Sequence, residues 1–554
     1  MNSVVLLVVL PFAGALIALF GKLAKAELAF SIVSALPLLG MAAIVVYSYP
    51  LVTDGGRLVY EMGGWREPVG IALYLDVFAW LGSALIVGIS SMVALASLTV
   101  GRYRARYFFF LMLLVAGMQL VVLTGDIFTM FVGFEIVAIS AYVLIAFDRT
   151  DEGLLAGFKY LMLSSVGILF FLFGVFIVYR DFGMLSLDRI AHAVAAGSLA
   201  ETRSIHFAVA ALCVGIGVRT AFIPFHTWLP EAHAYAPHPI SALLSGVLIK
   251  VSFFAMMRIV VTFNADYLND LLLWIGAATA ILAVVWALAQ RDAKRLLAYH
   301  SISQMGYVLA AFGAAGAISS VAAFSHAMHH ALFKSLLFIV AGTAIRMTGE
   351  RDLYKMTPIG RRAPLLSLAF LIGAFSIAGI PPFNGFASKQ LISAALKGSP
   401  AYALLWITAI GTTASFIKIS RIVMPGPKGE RLTHAPGPGF LVHVPVLALA
   451  IACLATGVFA RPVSLALSRL LSGSSVSAVA GHAVDAGLPQ TFFSTGKLLD
   501  ALPILVLGVA LYSVAASSAG KRVAHRVERL APELRTVLLF FVLGLGLFAA
   551  AAYL

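Results

Sequence analysis

Two cysteines, Cys213 and Cys453, are all that the 554 residues contain, too few by themselves to hold an iron–sulfur cluster or a zinc ribbon. Charge is scarce as well. Asp, Glu, Lys and Arg make up 11% of the positions against 61% hydrophobic residues, which excludes a soluble multidomain enzyme. No phosphate-binding Gly-Lys-Ser loop and no dinucleotide fingerprint occurs, and there is no low-complexity segment or soluble domain. Any redox step or nucleotide hydrolysis that drives this chain is therefore expected in a partner, with no cofactor and no metal on the chain itself.

What fills the sequence is apolar runs, about sixteen of them, each long enough to cross a hydrocarbon layer about 30 Å thick. All are expected to be helices, because an open strand in lipid leaves backbone groups unpaired. The expected fold is an all-α polytopic membrane protein, with fourteen helices in a core and two appended. The second run is placed at 27–49, the third at 71–99, the fifth at 124–147, the seventh at 205–229 and the twelfth at 364–396. The longest stretch between runs, about 461–498, holds Gly473, Ser474, Ser475, His482 and Asp485 and separates the last two runs from the rest.

The net charge of +14 could suggest nucleic acid, but its distribution argues otherwise. Most Lys and Arg fall in the loops after odd-numbered runs: Arg102, Arg104 and Arg106; Arg291, Lys294 and Arg295; Arg351, Lys355, Arg361 and Arg362; Lys521, Arg522, Arg526 and Arg529. This is the positive-inside bias, and it is expected to put those loops in the cytoplasm and both termini on the other side of a bacterial or archaeal cytoplasmic membrane. No basic, signal-like stretch precedes Val4 and no small-residue cleavage site follows the first run, so that run is expected to be retained.

Against this background five ionisable residues stand out inside apolar runs: Glu135, Arg219, Lys250, Lys334 and Lys389. Each would cost roughly 2.5 to 3.5 kcal/mol if unsupported at a bilayer centre, and five together would rival the roughly 5 to 15 kcal/mol stability of a domain. They are expected to turn inward, pair and hydrate a path, which points to ion or proton movement.

Glu135 ends TGDIFTMFVGFE. Arg219 opens RTAFIPFHTWLPEAHAYAPHPISALLSG, which runs on to Lys250 and carries His226, His233 and His238. A metal site from those three histidines is disfavoured, because they straddle proline breaks and no acidic support is evident. Histidines of this kind often line wet cavities. In AQRDAKRLLAYHSISQMGY the charges from Arg291 to Arg295 read as a cytoplasmic anchor, whereas His300 enters the following run. His326, His330 and Lys334 recur every four residues, on one helix face with steps of about 6 Å. Lysine is a poor third metal ligand when charged, so a hydrated proton wire fits this face better. Lys389 closes GIPPFNGFASK, where its alternative role is to snorkel toward an interface.

Pro224 lies five residues after Arg219, and Pro381 and Pro382 lie seven residues or so before Lys389. Proline removes a donor and clashes with the preceding turn, so the seventh and twelfth runs should be broken. Breaks five runs apart suggest two five-helix repeats of opposite orientation. The expected divisions are 1–106, 107–262 (first repeat), 269–424 (second repeat) and 440–554. Ile249-Lys250-Val251-Ser252 is echoed by Ile417-Lys418-Ile419-Ser420, which adds Lys418 to the candidates.

These strings, with GGWREPVGIALYLD at 63–76, resemble the antiporter-like membrane subunits shared by respiratory complex I (NADH:quinone oxidoreductase), Mrp-type cation/proton antiporters and membrane-bound hydrogenases, over roughly residues 60–425. The resemblance implies a proton-translocating subunit, with Glu135, Lys250, His330, Lys334 and Lys389 matching the family's relay positions. It also implies partners: other membrane subunits of an ion-pumping complex, whose driving reaction can be redox, with sodium or potassium as further cargo beside protons, and the lipid bilayer. No nucleic acid is implied. One position departs: the family usually has lysine where this chain has Arg219, and arginine keeps its proton at any accessible pH. The expected pathway runs Glu135, Arg219, Lys250, His330 with Lys334, then Lys389, with His226, His233, His300, His326 and Lys418 as secondary candidates. The rival reading is a non-pumping structural or gating subunit. A stand-alone carrier for an organic solute would need a paired Asn, Asp and aromatic pocket, which the sequence does not display.

Overall fold

The computed structural model describes residues 3–53, 56–67, 69–101, 103–197, 203–316, 318–426, 439–472, 488–530 and 537–551. Arg102 and the Gly473, Ser474, Ser475, His482 and Asp485 stretch lie outside the described residues.

Helix dominates, as the apolar runs require. Thirteen helical stretches among the described residues are long and apolar enough to cross a membrane. The opening run is α1 (Ser3–Leu23). The second run is one membrane-crossing stretch, Glu27–Thr53, interrupted at Leu36 into α2 (Glu27–Ala35) and α3 (Pro37–Thr53), since Pro37 cannot donate to the preceding turn.

The third run departs from expectation at its start. Ala72–Leu75 is a strand, β2, paired antiparallel with β1 (Leu58–Glu61) so that Leu58 faces Leu75 and Glu61 faces Ala72. Only at Val77 does α4 (Val77–Leu98) begin, where the Asp76 carboxylate accepts the Ala79 amide at 2.9 Å and ends the strand by capping. The GGWREPVGIALYLD motif thus builds a hairpin, which is tied to α8 (Leu187–Ala195). Glu67 accepts hydrogen bonds from Tyr74 and, at 2.7 Å, from Ser186, while Arg57 pairs with Asp188 at 2.5 Å.

Between them run α5 (Ala105–Leu123), α6 (Ile127–Ile145) and α7 (Asp151–Phe182). Asp126 caps α6 by accepting the Thr129 amide at 2.7 Å, and Gly183 ends α7 in the left-handed region, φ 66°.

The two expected breaks are present. After α9 (Arg203–Thr220), Ala221 takes φ 59°, a cis Ile223–Pro224 bond follows, and helix resumes as α10 (Leu229–Tyr235). After α16 (Pro364–Ala378), Gly379 takes φ 79°, a cis Pro381–Pro382 bond follows, and helix resumes as α17 (Asn384–Ala395).

At the centre, α11 (His238–Leu243) passes through a π turn, Leu244–Leu248, into α12 (Ile249–Thr262). The most apolar window of this composite helix is 100% buried. Beside it stand α13 (Asn269–Ala289), α14 (Ala293–Gly313) and α15 (Ser319–Thr348), then α18 (Ala401–Ser420), α19 (Phe440–Val458) and α20 (Ala460–Ser472). α13 and α14 meet backbone to backbone: a Cβ on Gly276 would sit 2.4 Å from the Ala310 nitrogen, and one on Gly306 would sit 2.5 Å from the Ala280 nitrogen. Only glycine permits that approach. The appended helices are α21 (Thr495–Ala516), α22 (Ser518–Arg529) and α23 (Val537–Ala550). The most apolar window of α21 is only 6% buried, which puts it at the rim.

Candidate functional site

The polar row begins at α6. Arg219, near the end of α9, points its guanidinium at Glu135, with Nη2 3.7 Å from Oε1. The pair is lopsided: the arginine side chain is 1% exposed and the glutamate 38%. The expectation that Glu135 turns inward is therefore corrected in part: it pairs with the buried Arg219, but its side chain stays partly exposed at the surface of this chain. Arg219 lies over the Phe134 ring at 5.0 Å, with Tyr160 as the other group acting on it. Its Nε, Nη1 and Nη2 make no hydrogen bond of good geometry among the described residues. An arginine carries five donors, and the groups the structure sets against this one are Glu135, Tyr160 and the Phe134 ring.

The next link, from Arg219 to Lys250, passes no direct contact among the described residues. The charge acting on Lys250 is that of Lys334, and Arg219 is acted on by Tyr160 and Glu135. Between the two lies an aromatic bridge. Tyr160 packs on Trp228 at 4.8 Å, Trp228 lies 6.1 Å from His233, and the charges acting on buried His233 are those of Lys334, Lys294 and Lys250. His226 stacks on Trp286 at 5.2 Å.

Lys250 and Lys334 are fully buried. The Lys250 Nζ donates to the Ser245 carbonyl at 2.5 Å, inside the π turn, and the Lys334 Nζ donates to the Leu297 carbonyl of α14 at 2.5 Å. A π turn carries one residue more than an α turn and leaves carbonyls without helical donors, which is the local reason the Lys250 ammonium can be held there. The Ser245 and Ser301 hydroxyls share a hydrogen bond of 2.7 Å.

Along α15 the expected face is real. The His326 and His330 rings are stacked 6.3 Å apart, and the charges of Lys250, Lys334 and His326 act on His330. His326 is held at both nitrogens, 2.9 Å from the Ser388 hydroxyl of α17 and 3.1 Å from Gln304 Oε1 of α14. Ser388 is the neighbour of Lys389, which is half-buried and donates to the Ile377 carbonyl at 2.7 Å, beyond the break that ends α16. His300 is fully buried, with neither ring nitrogen hydrogen-bonded among the described residues and its ring 5.0 Å from that of Phe416. Lys418 donates to the Leu288 and Gln290 carbonyls at 2.7 and 2.8 Å.

Sequence reasoning missed Ser245, Ser301, Gln304, Ser388 and Tyr160, which join the charged groups to one another. A signal existed for two of them. Ser301 and Gln304 sit in HSISQ, a polar patch within a run otherwise read as a spanning helix. It also missed Lys294, which the sequence reading places in a cytoplasmic anchor; the lysine is buried, and its Nζ donates to the Ala236 carbonyl at 2.6 Å.

The family described as "NADH:quinone oxidoreductase/Mrp antiporter, TM" matches residues 124–418, which takes in every residue of this row. The chain belongs to that family. It is 33% identical over 464 residues to a Na(+)/H(+) antiporter subunit of Alkalihalophilus pseudofirmus, covering 81% of this chain and 93% of that one. It is 30% identical over 458 residues to an NADH-quinone oxidoreductase subunit of Desulforudis audaxviator, covering 78% and 90%. Among solved structures, a chain of the membrane-bound sulfane sulfur reductase, an archaeal respiratory membrane complex, superposes with a TM-score of 0.78 at 29% identity, over 88% of this chain and 100% of that chain. As a member of this NADH:quinone oxidoreductase/Mrp family the chain is an integral membrane protein of antiporter type, and its apolar helices agree.

Proposed function

We propose that this chain is a proton-translocating subunit of a larger ion-pumping membrane complex, with sodium or potassium exchange as the variant its antiporter relatives suggest. The observation that carries the reading is the row Lys250, Lys334, His330 and His326, all buried, leading to the half-buried Lys389. Lys250 and Lys334 are joined through the Ser245 and Ser301 hydroxyls and the Leu297 carbonyl, the two histidine rings stack 6.3 Å apart, and His326 meets the hydroxyl of Ser388, beside Lys389, at 2.9 Å. A buried ammonium beside a second ammonium changes its proton affinity when its neighbour's charge changes, so a proton arriving at one position displaces one at the next. Glu135 and Arg219 act as the electrostatic input. Arginine responds to the opening of its ion pair without passing a proton on, so titration in the first half falls to His233 and Lys250.

We place residues 107–262 and 269–424 as two repeats of opposite orientation, supported by the matching form of their interruptions after Thr220 and after Ala378. The half-exposed Glu135 supports a neighbouring membrane subunit against α6. The basic loops support a bacterial or archaeal cytoplasmic membrane, with both termini on the non-cytoplasmic side. The rival reading, a gating subunit without transport, draws on Arg219 alone.

Proton uptake by proteoliposomes holding the whole complex separates the two. Lys250→Met keeps the bulk of the side chain and removes the ammonium, and uptake is expected to fall at least about tenfold, a loss of about 1.4 kcal/mol in the barrier. Undiminished uptake would remove the pumping claim.

A further inference from the structure

We propose that the cavity beside Lys418 is an aqueous access route by which protons reach His300 from the surface carrying Arg291 and Lys521, and that the appended helix α22 forms its mouth. The proposal deepens the proton-translocating reading above and rests on it.

The cavity holds about 340 Å³, room for roughly ten waters at liquid density. Its floor is Lys418, and its walls include Arg291 from the α13–α14 connection, Tyr512 from α21, and Lys521, His525 and Glu528 from α22. Both signs of charge face the space. A site for an anionic headgroup would have no use for the Glu528 carboxylate, whereas water solvates both signs at once. The Glu528 charge acts on Lys418 and on Tyr299, the residue beside His300.

Inward from the floor, the path continues on the same helix. Lys418 is 6% exposed and its ammonium is clamped on the carbonyls of Leu288 and Gln290, at the C-terminal end of α13, where the helix presents partial negative charge to a cation. Two residues earlier on α18, Phe416 packs against the His300 ring at 5.0 Å. His300 has neither ring nitrogen hydrogen-bonded among the described residues, and through Phe416 it lies against the helix that carries Lys418, between the axial row and this side branch. An imidazole with both nitrogens free accepts a proton at one and releases one from the other, with no net change in its charge. Glu528 sets a carboxylate, an acceptor for water, in the wall that α22 contributes. α22 lies outside the residues 124–418 matched to the family.

Thiol chemistry tests the route without relying on transport. The native cysteines Cys213 and Cys453 are both buried. In the native assembly reconstituted in sealed vesicles, Lys418→Cys is expected to react with a membrane-impermeant maleimide from the side bearing Arg291 and Lys521 only. An added Ala524→Trp, in the α22 wall, is expected to slow the reaction at least about tenfold. Ala414→Cys, in the same lining, serves should the lysine prove needed for folding. No reaction from that side, reaction only after lipid is stripped away, or a rate indifferent to Ala524→Trp would each overturn the proposal. In transport, Glu528→Gln is expected to slow proton uptake severalfold. Full uptake in Glu528→Gln beside a dead Lys250→Met would refute the access route and leave the pumping reading intact, whereas full uptake in Lys250→Met would strike the pumping reading itself.

Discussion

Exchange of Arg219 for lysine probes the input end of the row most directly. At the observed 3.7 Å two unit charges attract by about 4.5 kcal/mol at an effective dielectric near 20, and by about 1 kcal/mol in bulk water. Glu135 is more than a third exposed, so solvent screening pulls the working value toward the lower figure. A lysine ammonium on the same backbone reaches less far. If the separation grows to about 5 Å, roughly a quarter of the attraction is lost, about 0.3 to 1 kcal/mol. The ion pair should then open about two- to fivefold more often, and the new side chain can release its proton, which arginine cannot. Initial proton uptake by proteoliposomes of the whole complex, followed from pH 6 to 9, is the assay. Arg219→Lys is expected to raise the rate by a factor in that range and to add a pH dependence absent from the parent. Rates and pH profiles that superimpose, with the complex assembled in equal yield, would refute the view that this pair limits the first half of the pathway.

Two further outcomes follow from the fold. Gly306→Val places a side chain where even a Cβ would lie 2.5 Å from backbone atoms of α13; overpacking of that kind costs about 3 kcal/mol, and the thermal midpoint of the solubilised protein should drop clearly, an unchanged midpoint contradicting the tight contact. Asp126, outside the spanning helices, has its carboxyl pushed above the ordinary carboxylate range by burial, partly offset by the amides of Thr129 and Phe128. The folded state thus holds the proton to higher pH than the unfolded state does, and stability falls as pH rises from about 3.9 through the folded value. Asp126→Asn keeps an acceptor for the cap and should flatten that slope; a slope equal to the parent's would show that Asp126 is not its source.

Much of the row was legible because a charge inside an apolar run is costly wherever the run goes. That argument needs no tertiary contact, and it located Lys250, Lys334 and Lys389 correctly as buried or half-buried. It misplaced Glu135 in part, because the same cost is avoided when a carboxylate lies on a face that another subunit can cover, and one chain's sequence does not say which of its faces are covered. The aromatic packing of Tyr160, Trp228 and His233 near Arg219 was not legible for a related reason: Tyr160 and Trp228 carry no charge to draw the eye. The helix breaks were legible from proline chemistry, which acts on the adjacent turn. The hairpin at 58–75 was not, since Ala-Leu-Tyr-Leu suits a strand and a helix start equally well until Asp76 chooses between them by capping. The π turn before Lys250 had no sequence mark at all.

The glycine-mediated seam between α13 and α14 bears on how the relay tolerates stress. Helices whose main chains touch have no side-chain cushion to compress, so they cannot slide or tilt against each other by small amounts. Lys294, His300, Ser301 and Gln304 all ride on α14 and therefore keep fixed heights along one rigid beam. Bilayer thinning, pressure or heat must act first on the helices around that beam, and the hop distances it sets are the last to change.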